Sequence, residues 1–177
     1  GSRFQYSNSD YIVLGAITEA ITGKTYSEYL RTNLFTPLGM NRSVVGDAKA
    51  SPPRAVGYDF TPTESLTKAS PIHMSSAYAS GAIRSTLHDL HLFDRALTDG
   101  ILLSDASRKY MYTPPKDQSY AFGWETGVHE GHRYVGHTGG IFGFKSAFLR
   151  FIDDDVMICV LSNHEGFEVG VLQQTLI

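Results

Sequence analysis

Four short runs decide the architecture: YAFGWETGV (residues 120–128), HRYVGHTGG (132–140), GFKSAFLRFI (143–152) and VMICVLSNH (156–164). Each is rich in the β-branched and aromatic residues that fit a pleated surface, and the links between them, such as HEG and DDD, are turn clusters. Links this short cannot hold a crossover helix, so consecutive strands must be antiparallel neighbours in a meander. The residues upstream read differently. From Asp10 to Thr22, Tyr11, Leu14, Ile17 and Ile21 recur at helical spacing, with Ser9 as N-cap and Gly23 as the stop. A second helix fits Ser27 to Phe35, ended by Pro37 and Gly39. STLHDLHLFDRALTDG (85–100) is a third, begun by Ser85 or Thr86, lined by Leu90, Phe93 and Leu97, and closed by Gly100. Ser104 to Tyr112 makes a short fourth. Asn41 to Ala79 lacks periodicity and reads as loop with short extended pieces. The closing stretch FEVGVLQQTLI (167–177) is expected to be a helix packed on the sheet. Helices followed by a run of strands define an α+β fold, an antiparallel β-sheet flanked by helices. Its helical part covers about 9–115, its sheet part about 118–164, and its C-terminal helix starts at about 166, all within one domain spanning 1–177.

Composition narrows the function. A chain of 177 residues, 42% hydrophobic and 19% charged, can bury one real core. A net charge of −3 offers no electrostatic footprint for nucleic acid, and there is no basic run to meet a membrane surface. Val156 to Leu161 is too short to span a bilayer. Small-molecule or peptide substrates remain as partners. The single cysteine, Cys159, lies in that apolar run and reads as an inert thiol.

Two stretches carry chemistry. Tyr6, Ser7 and Asn8 put a phenol and a carboxamide two residues apart at the start of a helix, where a phenol near cations can act as a general base. The plainer reading is a turn in which Ser7 or Asn8 merely caps the helix. In GHTGGIFGF (136–144), His137 and Thr138 end a strand and Gly139 and Gly140 leave its backbone unobstructed. A carboxylate- or amide-bearing substrate could lie along that edge, with a backbone N–H aimed at a developing oxyanion. The plainer reading is a Gly-rich hairpin beside a core histidine.

Together with LFTPLGM (34–40), ASGAIRSTLHDLHLF (79–93) and YAFGWE (120–125), these stretches resemble the serine β-lactamase-related superfamily: class C β-lactamases, penicillin-binding D-alanyl-D-alanine carboxypeptidases, and related esterases and D-aminopeptidases. The blocks occur in family order over nearly the whole chain, with Val44 to Met74 matching least. The resemblance implies a β-lactamase/transpeptidase-like fold and acyl-enzyme chemistry on a β-lactam, a D-Ala-D-Ala-like peptide or an ester, with no cofactor and no metal. It makes Tyr6 of the Tyr-x-Asn motif the candidate general base, Asn8 a contact to substrate and nucleophile, and Gly140 the residue whose N–H helps form the oxyanion hole. His137, Thr138 and Gly139 match the substrate-binding Lys-Thr-Gly strand, with His replacing Lys as in the esterase and peptidase branches. The strand from Val135 to Thr138 is then expected to face Tyr6 and Asn8 across a cleft. It further implies a periplasmic, cell-envelope or secreted location.

In that superfamily the Tyr-x-Asn segment follows a Ser-x-x-Lys helix, which supplies the acylated oxygen and the lysine that activates it. The chain therefore looks like the second half of such a protein, incomplete at its N-terminus, clipped in its last helix and with no nucleophile of its own; alternatively it is a non-catalytic penicillin-recognition-like binding module. SLTK (65–68) matches Ser-x-x-Lys literally but comes after Tyr6, in the loop region, with no long apolar helix behind it. Two histidine groups suggest metals and read better otherwise: HEGH (129–132) as a hairpin turn and HDLH (88–91) as a solvated helix face. Tyr120, Trp124, Phe142 and Phe144 read as core and cleft wall.

Overall fold

The computed structural model describes residues 3–46, 54–60 and 65–169. In chain order its elements are α1 (Asn8–Thr22), α2 (Tyr26–Leu30) continued by a π-helical turn (Arg31–Phe35), β1 (Val44–Val45), β2 (Tyr58–Phe60), β3 (Leu66–Lys68), a 3-10 turn (Met74–Ser76), α3 (Tyr78–Gly81), β4 (Ile83–Arg84), α4 (Leu87–Thr98), α5 (Asp105–Met111), β5 (Glu125–His129), β6 (His132–Ile141), β7 (Phe144–Phe151) and β8 (Val156–Ser162). The fold is α+β, with a four-stranded antiparallel sheet in the order β5-β6-β7-β8. The helix expected from about residue 166 is not yet formed at 166–168, and its remainder from 170 lies outside the described residues. The chain forms two compact units, one of residues 1–54 and 71–93, the other of residues 55–70 and 94–177, the division falling inside α4.

In the first unit, α1 starts two residues earlier than its periodicity suggests. Ser7, not Ser9, is the N-cap, its side chain accepting from the Asp10 N–H, and Gly23 closes the helix in the left-handed conformation at φ 66°. The buried face also differs from expectation. Leu14 and Ile21 of the apolar stripe remain 54% and 79% exposed, and the one buried residue of the helix is Gly15. A Cβ at Gly15 would lie 2.5 Å from Ala79 Cβ and 2.7 Å from the Tyr78 ring, so α1 and α3 meet at a contact only glycine allows. Beside it, Tyr26 meets Tyr78 at 5.4 Å with the rings tilted by 53°, and the Tyr78 phenol is pushed up to about 12 by burial and by the neighbouring Glu19 carboxylate. Strand β4 pairs with β1. Asp89 does not share the solvated face of its helix: it is buried, accepting from Ser43 Oγ at 2.7 Å and from the Arg42 N–H at 2.9 Å, while His88 and His91 are exposed.

In the second unit the meander appears with its four strands in the predicted order, but the first starts at Glu125, so residues 120–124 of the first run precede it. HEGH forms the β5–β6 turn, with Glu130 and Gly131 at positive φ and His129 opposite His132. The sheet core holds Val135, Ala147, Leu149 and Phe151, each at most 8% exposed. Tyr112 and Phe148 flank Trp124, at ring separations of 5.5 and 5.7 Å. Cys159 is half-buried, and burial pushes its thiol up to about 11, leaving almost no thiolate at neutral pH. Of SLTK, Ser65 immediately precedes β3 and Leu66–Lys68 form it, paired antiparallel with β2 and all exposed; it is not at a helix start.

The most demanding polar contact of this unit is Arg150 on β7. Its guanidinium, 5% exposed, pairs at 3.0 Å with Asp94 of α4, 2% exposed, and also with Asp155 in the β7–β8 turn, which Arg95 bonds at 3.0 Å. A charge this deep is tolerated because two carboxylates satisfy it. Removing Asp94 leaves the buried guanidinium with only the exposed Asp155, which it must share with Arg95, so Asp94→Ala should cost about 3–5 kcal/mol in urea unfolding, whereas Asp99→Ala, just past the exposed end of α4, should cost under about 1 kcal/mol.

Candidate active site

The N-terminal half of the candidate site is a helix cap. Ser7 Oγ accepts from the Asp10 N–H at 3.3 Å and donates to Asp10 Oδ1 at 3.0 Å. Asn8 is therefore the first helical residue rather than the cap. Tyr6, 53% exposed, donates its hydroxyl to Asn8 Oδ1 at 3.3 Å. The two side chains expected to do chemistry thus touch each other, while the serine between them holds the helix.

A second candidate segment lies on β6, in the second unit. Strand β5 pairs with β6 from His132 to Gly136, where Glu125 stands opposite Gly136. Strand β7 pairs with β6 over its length from Tyr134 to Ile141. His137, Thr138, Gly139 and Gly140 therefore run past the end of β5 while still pairing with β7. Extended peptides and acyl groups bind along a strand edge through main-chain hydrogen bonds. The glycines have a local structural reason as well: a Cβ on Gly139 would collide with Ser146 Oγ, and one on Gly140 would sit 3.2 Å from Lys145 Nζ.

His137 is held at both ring nitrogens. Nδ1 lies 2.6 Å from the Thr138 carbonyl oxygen and Nε2 lies 2.9 Å from the Tyr120 hydroxyl. A carbonyl only accepts, so Nδ1 carries a proton; in the neutral ring Nε2 then accepts the phenol proton. The Tyr120 ring meets the imidazole edge-on at 5.7 Å. Sequence reasoning treated Tyr120 as wall: it precedes His137 by 17 residues, and no spacing rule links the two.

The turn after the Gly-Gly pair is pinned from outside the strand. Gly143, at φ 77°, approaches so closely that a Cβ there would lie 2.8 Å from Gly57 Cα, which puts the residues leading into β2 against the β6–β7 turn. Glu165 accepts from the Gly143 N–H at 3.2 Å and donates its own N–H to the Tyr58 carbonyl at 2.9 Å. Burial first, and then the hydrogen bond and charge of Glu165, push the Asp59 carboxyl above its usual range.

The chain belongs to the beta-lactamase family: the family model described as beta-lactamase matches residues 1–176. It is 30% identical over 181 residues to penicillin-binding protein 4* of Bacillus subtilis (strain 168), covering 92% of this chain and 40% of that protein. Its structure is similar to that of a D-stereospecific amidohydrolase from Streptomyces sp., with TM-score 0.80 and 27% identity over 93% of this chain and 52% of that one. The penicillin-binding protein of Bacillus halodurans shares the fold, with TM-score 0.85 at 22% identity, over all of this chain and 57% of that one. The chain thus spans between two fifths and three fifths of the length of these relatives.

A pH test follows from Asp59. A carboxyl whose folded value is raised contributes stability that is full below its unfolded value, about 3.9, and is lost as pH rises through the folded value. Asp59→Asn should therefore remove a fall in thermal midpoint that the parent chain shows as pH climbs from about 4 upward. An identical pH dependence in both would show that the pair does not hold the turn.

Proposed function

We propose that this chain carries the substrate edge and the base-bearing segment of a serine hydrolase that works through an acyl-enzyme on a β-lactam, a D-Ala-D-Ala-like peptide, or a related amide or ester. The observation that carries the reading is the stretch Thr138–Gly140, which runs past the last β5–β6 pair, Glu125 opposite Gly136, while still paired with β7. On this reading His137, Thr138 and Gly139 hold the acyl substrate along the strand. The Gly140 N–H faces the oxyanion that develops as the carbonyl turns tetrahedral. Tyr6 takes the proton of the attacking hydroxyl, and Asn8 orients substrate and phenol. The Streptomyces relative's name, a D-stereospecific amidohydrolase, supports an amide of a D-configured residue within this substrate class. The family's bacterial members support action in the periplasm, the cell envelope or outside the cell.

The nucleophile, on this proposal, is a Ser-x-x-Lys serine outside these 177 residues. Ser65–Lys68 is a poor substitute, because strand geometry sends residues three apart to opposite faces and cannot set a lysine beside the serine as one helical turn does. The same missing portion would cover the apolar side chains that α1 exposes, Val13, Leu14, Ile17 and Ile21 among them.

Two outcomes test this together. The 177-residue chain should not turn over a chromogenic β-lactam or a p-nitrophenyl ester above background, and Ser65→Ala should change nothing. With the upstream portion of the parent protein restored, a fluorescent penicillin or fluorophosphonate should label the upstream serine, with Tyr6→Phe slowing labelling by about 10²–10⁴-fold. Mass spectrometry locates the label. Acylation at Ser65 would overturn the assignment of the nucleophile; substrate binding without acylation would favour a recognition module.

A further inference from the structure

In the strand motif a lysine would offer substrate a full positive charge and three N–H donors. His137 stands in that place, and the structure shows where its polar atoms go. The Thr138 carbonyl takes Nδ1 at 2.6 Å and the Tyr120 hydroxyl takes Nε2 at 2.9 Å, in a half-buried setting. The imidazole has only these two polar atoms. In the neutral ring Nε2 accepts from the phenol, and in the charged ring it donates to the phenol oxygen; in either state no N–H is left for a ligand. The edge-on contact of the two rings at 5.7 Å fixes the same arrangement sterically.

We infer that Tyr120 is a specificity-determining positioning residue: by occupying His137 Nε2 it removes a carboxylate donor from the strand and tunes the site toward acyl compounds that are neutral there, amides and esters, over those ending in a free carboxylate. The inference rests on the substrate-edge reading above and refines it. A carboxylate brought to this strand loses part of its hydration and gains no donor from His137, and that penalty falls on the acid alone. An amide or ester meets the same backbone edge without it. Tyr120 does this without touching substrate.

The test uses the whole chain, ¹⁵N-labelled, and two probes that differ in one group: Nα-acetyl-D-alanyl-D-alanine and its C-terminal amide. Long-range ¹H–¹⁵N spectra should show His137 with the proton on Nδ1 and a hydrogen-bonded Nε2. Titration should shift the Gly139 and Gly140 amides with the amide probe at lower concentration than with the acid. Tyr120→Phe keeps the ring and deletes only the hydroxyl, so Nε2 should lose its hydrogen-bond signature. The amide-over-acid preference should shrink by about tenfold, the scale of one charge-assisted hydrogen bond regained by the acid. If both probes bind and the preference is the same in Tyr120→Phe, the role of Tyr120 is overturned while the substrate edge stands. If the parent chain binds the acid more tightly, with the His137 resonances moving onto the ligand, the inference is overturned without any variant being needed. If neither probe moves Gly139 or Gly140, both the inference and the substrate-edge reading fall.

Discussion

The constraint on which the sheet unit depends is the register of β6 on β7, eight consecutive pairs from Tyr134–Phe151 to Ile141–Phe144. Side chains alternate across a strand, so a slip of one residue would exchange the faces of Val135, Ala147 and Leu149, all at most 4% exposed. Two features specify the pairing beyond hydrophobicity. Gly136 fits only where it stands, because a Cβ there would come within 2.6 Å of the Phe148 carbonyl oxygen. Arg150 reaches Asp94 only from its present face. On the other side of β6 the pairing with β5 ends at Glu125 opposite Gly136, and that end sets the distance by which β6 outruns β5. The candidate site is thus a consequence of strand length and register before it is a matter of side chains.

What could be read beforehand follows from how local each signal is. The meander was legible because its evidence, alternating apolar residues and turn clusters, lies within each strand and its neighbouring link. The family blocks were legible because each is a short contiguous string. The buried face of α1 was not. Periodicity reports spacing, and Leu14, Ile17 and Ile21 are well spaced, but the contact α1 makes in its own unit runs through Gly15, which carries no hydrophobic signal and is selected by closeness of approach. The short helix α3 was missed for a related reason: Tyr78 enters it at φ 39°, a strained conformation that tertiary contacts sustain and local preference opposes.

Within the site the same division holds. Tyr6, Asn8 and the His-Thr-Gly-Gly run announced themselves as motifs. The residues that set their state did not: Tyr120 on His137, Glu165 on the Gly143 turn, and Asp59 beside Glu165 are brought in by chain topology, and nothing in their own neighbourhoods marks them. Sequence reasoning finds contiguous motifs more readily than the residues that chain topology brings against them.

The hydrogen bonds of the two candidate segments, one in each unit, differ in length and setting. Tyr6 bonds Asn8 at 3.3 Å, long for a hydroxyl donor and exposed to water, so the interaction costs little to exchange for a substrate contact. It can be weak because Ser7 takes over the capping of α1, relieving Asn8 of a structural duty. His137 is the opposite case, with short bonds at both nitrogens in a half-buried setting, where each bond lost would leave a polar atom unsatisfied. A general base must approach and leave the proton it handles, whereas a substrate-lining residue works best when its donors and acceptors are fixed before binding. The imidazole, bonded at both nitrogens, is suited to the part proposed for it.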